Sequence, residues 1–549
     1  MRFEVAIVVG VAALAAAAPL PNGVKVVDVK TLGRDYASGG LGQLIVEAAL
    51  GGNSLTPADA EGNAFAFESD NAYSNGRTVR VSQHYRGLQV FGYGAVVNDQ
   101  AGFDIDLSGE IVQSLGELVN EGDAASMRER SADVLRETME RHKTREVESN
   151  EIPLENVDSA QPVVYVDEEL GVAAKAFFVQ FVDETSQQPS HPHFVIAANG
   201  VDVIRQWEGL QTRSSRNKGT AAVASGPGGN DKIGRIRYDK QLHITDLGNG
   251  KCSLKNDQVV TVNLKNKKFS FSKKPHEFKC YEQTDKEVNG APSPMNDAHF
   301  YGSKVFEMYK QWYGTSPLKK TPLVLRVHYG KGFENAFFKS GVMTFGDGAS
   351  RFYPLTALDV VAHEVSHGVT TQSSKLLYFG QSGGMNEAFS DMAGKAVERF
   401  TRGYSKDFKW GLGTDITKAD RPLRCMDNPP CDGRSIDNIN KYKFLMNVHL
   451  SSGVYNKAFV HLASNQEGEL RTAFDVFYVA NTRYWGALTR FEKGAELTLK
   501  AAAHMKAGRH LPDNDYSQLS YSVIRDAFAA VGINCSKGSR DDDWSCKKA

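Results

Sequence analysis

The spacing of apolar residues divides the chain into a part rich in strands and a part rich in helices. Apolar and polar positions alternate through residues 70–115 and again at 176–182 and 194–198, which predicts strands. Residues 123–147 are rich in Ala, Arg, Glu and Met, a composition typical of a helix. From about residue 230 to 350 the chain is again predicted to be β-rich, with turns marked by Gly, Asn and Asp.

After about residue 355 the spacing becomes helical. Apolar residues stand three or four positions apart in Leu358–Thr371 and again in Met385–Phe400, which places them on one face of a helix. Further helices are predicted at 453–464, 468–482, 492–507 and 517–530.

A polar, basic run without apolar periodicity separates an N-terminal part from the rest. It covers Thr212–Gly219, and a Gly-rich segment continues it to Asn230. At 549 residues the chain is too long for one ordinary core. We therefore predict a linker between domains here, the kind of segment where proteolytic cleavage concentrates.

The first residues have the features of a signal peptide. Arg2 precedes an apolar stretch from Val5 to Leu14, and the small residues Ala15–Ala18 follow. That stretch is too short to span a bilayer, and no later run of about 18 apolar residues occurs. We expect a secreted, extracellular protein without a membrane anchor. A formal net charge of -1 argues against nucleic acid or an anionic membrane as the main partner.

The six cysteines all lie beyond residue 250. Disulfides persist in oxidising compartments, so their number agrees with export. Six cysteines allow about 15 pairings, and the residues alone do not choose among them. The N-terminal part has no cysteine, as expected if this part is removed after synthesis and only the remaining, disulfide-bonded part persists outside the cell. The cysteines are Cys252, Cys280, Cys425, Cys431, Cys535 and Cys546.

The first predicted helix of the C-terminal part carries the motif H-E-x-x-H. His363 and His367 stand at positions i and i+4 on one face, so both imidazoles can reach one metal ion. Glu364, the next residue after His363, is placed to contact a metal-bound water without being a metal ligand itself. The motif alone arises by chance in a chain of this length on the order of a few per cent of the time, and a surface helix with two histidines is the alternative.

A third metal ligand follows on the next predicted helix. Catalytic zinc takes three protein ligands and leaves the fourth position to water, and Glu387 stands twenty residues after His367. Asp391, four residues further on, shares its helix face. Asp391 and Asn386 are placed to accept the second N–H of a ligating histidine. Two consecutive helices thus present metal chemistry, which favours a catalytic zinc site.

With these motifs the chain resembles the thermolysin family of metalloendopeptidases, and most of all its vibriolysin and pseudolysin branch. The resemblance covers roughly residues 225–535 and rests on Val361–Gly368 and Ser382–Gly394. Gln83–Gly92 and His191–Leu210 resemble the family's inhibitory propeptide. The implied fold is α+β: a two-lobed thermolysin-like catalytic domain, with a β-rich N-terminal lobe and an α-helical C-terminal lobe, preceded by an α+β propeptide.

The resemblance also implies how the chain is divided. After the signal peptide predicted from the first residues, 1–18, it implies an inhibitory and chaperone propeptide of two subdomains at 19–219, a β-rich catalytic lobe ending in the zinc helix at 220–370, and a helical catalytic lobe at 371–549. The propeptide would fold over the cleft and inhibit it until cleavage within about 212–224. The expected product is a secreted zinc metalloendopeptidase, synthesised as a zymogen, that acts on proteins and peptides.

Individual site residues take roles by the same resemblance. The resemblance implies that His363, His367 and Glu387 bind zinc, that Glu364 is the general base, and that Asp391 orients His363 while Asn386 orients His367. It implies that Tyr378 and His449 stabilise the oxyanion. It also implies that Asn335 and the carbonyl of Ala336 align the substrate along an edge strand, and that Arg424 binds a substrate carbonyl.

The resemblance implies an apolar pocket and a structural cation as well. The pocket would receive the residue after the scissile bond, which predicts a preference for Leu, Phe or similar side chains, although its members could simply be core: Phe352, Leu355, Val360 and Leu423. The implied calcium ligands are Asp359, Glu398 and Asp407, with Asp415 as a further candidate. Lys395 stands where some relatives have another acid, and solvated helix-end acids are the alternative.

The chain departs from the family beside the oxyanion histidine. The Asp usual two or five residues before it is replaced by Asn447 and Phe444. An amide can accept a hydrogen bond from the ring but does not favour the imidazolium. We therefore predict a lower pKa for His449 than in relatives.

The cysteines depart from the family too. Cys252 and Cys280 match the branch's N-terminal disulfide. The usual partner position of Cys535 holds Glu496, so Cys535 is predicted to pair with Cys546. That leaves Cys425 with Cys431, beside Arg424. Asn534 begins a glycosylation sequon.

Two other classes of protein share parts of the pattern. A zinc aminopeptidase has H-E-x-x-H and a distant Glu, but the sequence has no G-x-M-E-N-type segment to capture a free amine. A secreted, non-enzymatic binding module with a structural metal is the other alternative. An intact Glu364 and a coordination position left open speak against it.

Overall fold

The computed structural model describes most of the chain. The described residues are 20, 24–32, 41–51, 55–73, 76–100, 104–142, 159–168, 170–181, 192–208, 219–268, 273–339, 341–403, 408–444, 446–465, 470–511 and 514–549. The predicted signal peptide and residues 212–218 of the predicted linker lie outside these ranges. Within them, no helix combines the length and the apolar composition that a membrane span requires.

The N-terminal region, residues 24–208, is built on one nine-stranded sheet. Neighbouring strands are antiparallel except β4 and β6, which run parallel. The strands are β1 (Lys25–Asp28), β2 (Asn63–Tyr73), β3 (Gly76–Tyr85), β4 (Leu88–Gln100), β5 (Asp106–Gln113), β6 (Ser159–Asp167), β7 (Val172–Gln180), β8 (Pro192–Ala197) and β9 (Val203–Glu208).

Two helices pack on this sheet: α1 (Leu41–Leu50) and α2 (Asp123–His142). Ile45 of α1 and Met127 of α2 are buried against strand residues in two separate clusters of the core. The strands predicted between residues 70 and 198 and the helix predicted from residue 123 are confirmed.

The C-terminal region, residues 219–549, begins with short strands around one long helix. In the sheet nearest the helical part the order is β15–β17–β19–β18, which leaves β18 at an edge. The strands are β10 (Thr220–Ala224), β11 (Pro227–Asn230), β12 (Gly234–Arg237), β13 (Leu242–Gly248), β14 (Lys251–Ser253), β15 (Val259–Asn263), β16 (Glu277–Lys279), β17 (Leu323–Val327), β18 (Ala336–Lys339) and β19 (Val342–Phe345).

Part of the predicted linker is strand instead, so the linker prediction is wrong beyond residue 219. β10 and β11 occupy most of residues 220–230. The glycines there allow close packing: a Cβ on Gly226 would lie 2.3 Å from the carbonyl oxygen of Gln283. A Cβ on Gly228 would lie 2.4 Å from Asp297 Oδ1. The glycines of this segment therefore allow it to pack closely against its neighbours, and they do not mark a flexible linker.

The long helix of this part, α3 (Pro294–Tyr313), was not predicted. Ser293 caps it by accepting from the Asn296 N–H, and Pro294 occupies a first-turn position that suits proline. Met295, Ala298 and other apolar residues at helical spacing are buried against the strands. The region predicted as β-rich is therefore a mixture of strands and one helix.

The rest of the C-terminal region is helical, as predicted. Its helices are α4 (Leu358–Gln372), α5 (Gly380–Arg402), α6 (Val448–Ser451), α7 (Gly453–Asn465), α8 (Leu470–Arg483), α9 (Phe491–Lys506) and α10 (Tyr521–Ala529). Two-stranded pairs lie between and after them: β20 (Gly411–Leu412) with β21 (Arg424–Cys425), and β22 (Ile533–Lys537) with β23 (Trp544–Lys548).

All three predicted disulfides are confirmed. They join Cys252 to Cys280, Cys425 to Cys431 and Cys535 to Cys546. The pair at 425 and 431 crosslinks the chain directly after Arg424.

The N-terminal region docks on the helical part of the C-terminal region. Arg80 of β3 is buried and donates hydrogen bonds to the carbonyl oxygens of Trp485 (2.7 Å) and Thr482 (3.3 Å), at the end of α8. The ion pairs found between the two regions place the acid in the N-terminal region and the base in the C-terminal region. These pairs are Glu68–Lys375, Glu168–Arg490, Asp28–Lys493 and Asp106–Lys500.

Candidate active site

Helix α4 presents two histidines on one face. Val361, Val365 and Val369 are buried in the core, which fixes the rotation of the helix and turns the opposite face toward α5. On that face the Nε2 atoms of His363 and His367 lie 3.0 Å apart. The predicted pairing of i and i+4 is therefore what the structure contains.

Glu387 of α5 joins the two histidines. Its Oε1 lies 3.3 Å from Nε2 of His367, and its Oε2 lies 3.6 Å from Nε2 of His363. Two zinc–nitrogen bonds of about 2.0–2.1 Å at a tetrahedral angle would separate the nitrogens by about 3.3 Å. The three side chains are thus spaced as ligands of one zinc ion.

One oxygen of Glu387 is left without a hydrogen bond. The residue is fully buried, and its Oε2 has no hydrogen-bond partner among the described residues. Oε1 accepts from the hydroxyl of Tyr378. A buried carboxylate oxygen without a hydrogen bond is costly. Nη2 of Arg424 lies 3.8 Å from this oxygen, too far to donate a hydrogen bond, whereas a cation bound among the three side chains would satisfy it. Two imidazoles and a carboxylate are also a donor set that zinc prefers, so the residues fit this ion.

Both histidines are held by a partner on the other ring nitrogen. Nδ1 of His363 lies 2.8 Å from Oδ1 of Asp391, and Nδ1 of His367 lies 2.8 Å from Oδ1 of Asn386. These are the two contacts that the sequence predicted. They leave the Nε2 atoms directed at Glu387.

Asp391 is the centre of a larger buried network. Nε and Nη2 of Arg424 donate to its two oxygens at 2.9 and 2.5 Å, and the amide of Asn456 donates to Oδ2 at 2.9 Å. Burial opposes ionisation, but Arg424 and the hydrogen bond from His363 hold the pKa of Asp391 well below its usual range. The sequence did not predict Asn456, because no local pattern links it to a residue 65 positions earlier.

Tyr378 and His449 lie together beside Glu387. The Tyr378 hydroxyl is 3.2 Å from Nε2 of His449, and that nitrogen is 3.6 Å from Oε2 of Glu387. Oδ1 of Asn447 accepts from Nδ1 of His449 at 3.0 Å, as predicted for the residue that replaces the family's Asp. Partial burial of the ring lowers the pKa of His449, and Glu387 acts in the opposite direction; 48% of the side chain is exposed.

Glu364 is buried next to the histidines on α4. The residue is 6% exposed. Burial raises its pKa above the usual value, although His363 and His367 act in the opposite direction. A raised pKa suits a group that must accept a proton and give it up near neutral pH.

The predicted substrate strand is a sheet edge. Ala336 begins β18, which among the described residues pairs with β19 alone, and Asn335 precedes it on the surface. An edge strand offers free backbone groups to a further chain. Arg424, with 14% of its side chain exposed, lies against Asp391 of α5.

The four predicted pocket residues are not equally buried. Phe352, Leu355 and Val360 are below one-tenth exposed and belong to the main core, whereas Leu423 is 38% exposed. Val360 lies on α4 one turn before His363. Three of the four residues therefore belong to the core, and Leu423, directly before Arg424, is the exposed one.

The acids predicted to hold calcium are in contact with basic side chains. Glu398 pairs with Lys395 and Arg402, and Asp415 pairs with Arg402. Asp359 is buried near them. Asp407 lies outside the described residues.

Known proteins match this chain over most of its length. Two family models match: thermolysin metallopeptidase, catalytic domain, at residues 230–371, and thermolysin metallopeptidase, alpha-helical domain, at 374–533. Neutral protease of Vibrio proteolyticus is 37% identical over 474 residues, which is 85% of this chain and 72% of that protein. Virulence metalloprotease of Vibrio anguillarum is 38% identical over 484 residues, 87% of this chain and 74% of that protein.

These alignments are longer than the C-terminal region, so they include part of the N-terminal region as well. Among solved structures, the precursor of protealysin, a metalloproteinase from Serratia proteamaculans, matches 50% of this chain and 88% of its own chain, with a TM-score of 0.43 and 24% identity. That likeness is too weak to bear on the fold.

Proposed function

The chain belongs to the thermolysin family of metallopeptidases and is a zinc metalloendopeptidase, and we propose that it is secreted as a zymogen and prefers a hydrophobic residue after the scissile bond. The observation that carries the peptidase activity is the convergence of two imidazoles and the buried Glu387 carboxylate, with one carboxylate oxygen left without a hydrogen bond. Secretion, the zymogen and the substrate preference rest on the N-terminal stretch, the docked N-terminal region and the apolar side chains near Arg424.

In this proposal His363, His367 and Glu387 hold one zinc ion. Bound there, zinc would act as a Lewis acid, lowering the pKa of a bound water toward about 7 and polarising the substrate carbonyl. Glu364 takes the proton from the attacking water and passes it to the leaving amine. Its burial and raised pKa support this role.

Tyr378 and His449 would stabilise the negative charge that develops on the carbonyl oxygen. Their polar atoms are 3.2 Å apart on one side of Glu387. Because Nδ1 of His449 donates to Asn447, Nε2 donates as well when the ring is protonated, and both groups then reach one oxygen. Removing one such donor typically slows catalysis about 100- to 1000-fold. Asp391 and Asn386 position the two histidines.

The substrate chain would add to the edge strand at Asn335 and Ala336, with Arg424 on a substrate carbonyl. The residue after the scissile bond would contact Leu423, Val360 and Leu355. Since these side chains are apolar, we propose a preference for Leu, Phe and similar residues.

The N-terminal region would act as the inhibitor of the zymogen. Trp207 of β9 packs on Phe379 with 4.8 Å between ring centroids, and the Arg205 guanidinium lies 4.0 Å from the centre of the same ring. Phe379 directly follows Tyr378, so the region reaches the rim of the site. We propose maturation by cleavage within about 212–224, with the segments 1–18, 19–219, 220–370 and 371–549 as signal peptide, propeptide and two catalytic lobes.

Secretion is supported by the apolar N-terminal stretch and by the three disulfides. Protein and peptide substrates, and the propeptide as inhibitor, are the proposed partners.

The test uses peptides blocked at both termini, with Leu or Asp after one internal bond. Purified precursor, incubated with zinc until the N-terminal region is released, should cleave the Leu peptide at that bond and the Asp peptide far more slowly. A zinc chelator should stop both maturation and cleavage. Glu364→Gln should retain zinc and lose cleavage. Cleavage that requires a free amino terminus, or an active Glu364→Gln variant, would contradict the proposal.

A further inference from the structure

The first acid of the predicted calcium cluster already has protein partners on both oxygens. Asp359 is 1% exposed and lies in the first turn of α4. Its Oδ1 accepts from the backbone N–H of Val360 at 2.9 Å, and its Oδ2 accepts from the backbone N–H of Gly413 at 2.7 Å. The carboxylate therefore ties α4 to the loop after β20.

The second acid is paired with a buried lysine. Lys395 is 2% exposed, and its Nζ donates to Oε2 of Glu398 at 2.5 Å. A calcium ion lies about 2.3–2.6 Å from a carboxylate oxygen. The ammonium nitrogen thus stands at the distance where the ion would stand, and both cannot occupy the place.

A second positively charged side chain, Arg402, belongs to the same cluster. Nη1 of Arg402 donates to Oε1 of Glu398 at 3.2 Å, and its Nη2 donates to Oδ2 of Asp415 at 2.6 Å. Lys395, Glu398 and Arg402 are spaced three and four residues apart on α5, so they share one helix face. That face meets α4, since a Cβ on Gly394 would lie 3.1 Å from the carbonyl oxygen of Asp359.

These residues do not fit a calcium ion. Calcium takes six to eight oxygen ligands, and here both oxygens of Asp359 and of Glu398 are used by protein N–H groups. The cluster also contains its own positive charges. A buried lysine is rare unless it is paired with an acid. Here the Lys395–Glu398 pair lies where α4 and α5 pack together, the place where the predicted calcium ion would have bound.

We propose that the Lys395 ammonium replaces a bound divalent cation at the junction of α4, α5 and the loop at 411–415, so that this junction is stable without calcium. The inference concerns stability and does not depend on the proposed substrate preference or maturation.

The test compares Lys395→Glu with Lys395→Arg, which keeps the charge, and with Lys548→Glu, which adds the same charge on the exposed β23. All are made in a zinc-loaded Glu364→Gln precursor, so that the protein does not digest itself. Equilibrium dialysis against Ca²⁺ counts the bound ions, and thermal unfolding with and without Ca²⁺ gives the shift in Tm.

We expect Lys395→Glu to bind one more calcium ion than the Glu364→Gln parent, Lys395→Arg or Lys548→Glu. At Ca²⁺ about 100-fold above its Kd, the Tm of Lys395→Glu should rise about 5 °C further than that of the others. Folding of Lys395→Glu only with Ca²⁺ would count as the same result.

Equal calcium counts and equal shifts in all four proteins would overturn the proposal. If Lys395→Glu does not fold at all, Lys395→Gln decides. It leaves Glu398 facing Arg402 alone, and we expect a lower Tm that Ca²⁺ restores in part. A lower Tm that Ca²⁺ does not raise would also overturn the proposal.

Discussion

Asp391→Asn tests whether the buried network behind the zinc ligands positions them. In the wild type the carboxylate meets His363 at 2.8 Å, two nitrogens of Arg424 at 2.9 and 2.5 Å, and Asn456 at 2.9 Å. An amide of the same shape keeps one acceptor oxygen, loses the charge and directs N–H groups at donors. At least one of the three partners is then left unsatisfied.

The size of the effect has two parts. Losing the acceptor behind a zinc-ligating histidine typically costs about 10- to 100-fold in metal affinity, or about 1.4–2.7 kcal/mol. Removing the carboxylate that pairs with the buried Arg424 guanidinium costs at most about 3–5 kcal/mol of unfolding free energy, since Nη2 of Arg424 also lies 3.8 Å from Oε2 of Glu387.

The stability difference should depend on pH. Because Arg424 and His363 hold the pKa of Asp391 low, its contribution is present above the unfolded pKa of about 3.9. It is lost as the pH falls through the lower folded value. The gap between wild type and variant should therefore close in acid.

The assay is zinc competition with a chromogenic chelator at pH 7, together with urea unfolding at pH 7 and at about pH 3, below the unfolded pKa of Asp, in the Glu364→Gln background. Asp475→Asn is the matched control, because Asp475 is equally buried and accepts from Tyr313 and Tyr516 at 2.8 Å each. It should lose stability but keep its zinc affinity. Unchanged zinc affinity and unchanged stability in Asp391→Asn would refute the positioning role.

Three further predictions concern the rim of the site and the docked N-terminal region. Asn447→Asp places a carboxylate next to His449 and should raise its pKa, so the alkaline limb of the pH–rate profile moves to higher pH; superimposable profiles would contradict this. Arg80→Met removes charge-assisted hydrogen bonds worth about 1.5–3 kcal/mol each, so its precursor should show more activity before processing than the wild type; equal activity would count against docking through this residue. Replacing both Cys425 and Cys431 by Ser opens a crosslink with a sequence separation of 6. The change should cost about 2 kcal/mol by urea unfolding, and no loss would show that the loop is held by other contacts.

The parts of the structure that follow from local pattern were predicted well. α4 and α5 bring their ligands together because i and i+4 spacing fixes one face of each helix. Asp391 follows from the same spacing, whereas the pairing of Asn386 with His367 was predicted from the resemblance to the thermolysin family. Asn447 was predicted as the partner of His449 because it occupies one of the two positions where the family has an Asp.

The parts that depend on contacts between distant residues were not predictable in this way. Asn456 reaches Asp391 through the packing of α7 on α5, which no local pattern encodes. The glycines at 226–229 resemble a linker in composition, yet they are required by the closeness of Gln283 and Asp297. α3 was missed because the turn residues around it dominated the prediction. The acids of the calcium cluster were recognised, but only the folded chain shows Lys395 bonded to one of them.

The most direct test of the account is zinc analysis of the purified Glu364→Gln protein by metal quantification and X-ray absorption spectroscopy. We predict one zinc ion per chain, with nitrogen and oxygen neighbours at about 2.0–2.2 Å and the outer-shell scattering of two imidazoles. His363→Ala should lose one imidazole and most of the zinc. A sulfur shell, fewer than two imidazoles in the parent protein, or an unchanged spectrum in His363→Ala would contradict convergence of His363, His367 and Glu387 on one metal ion.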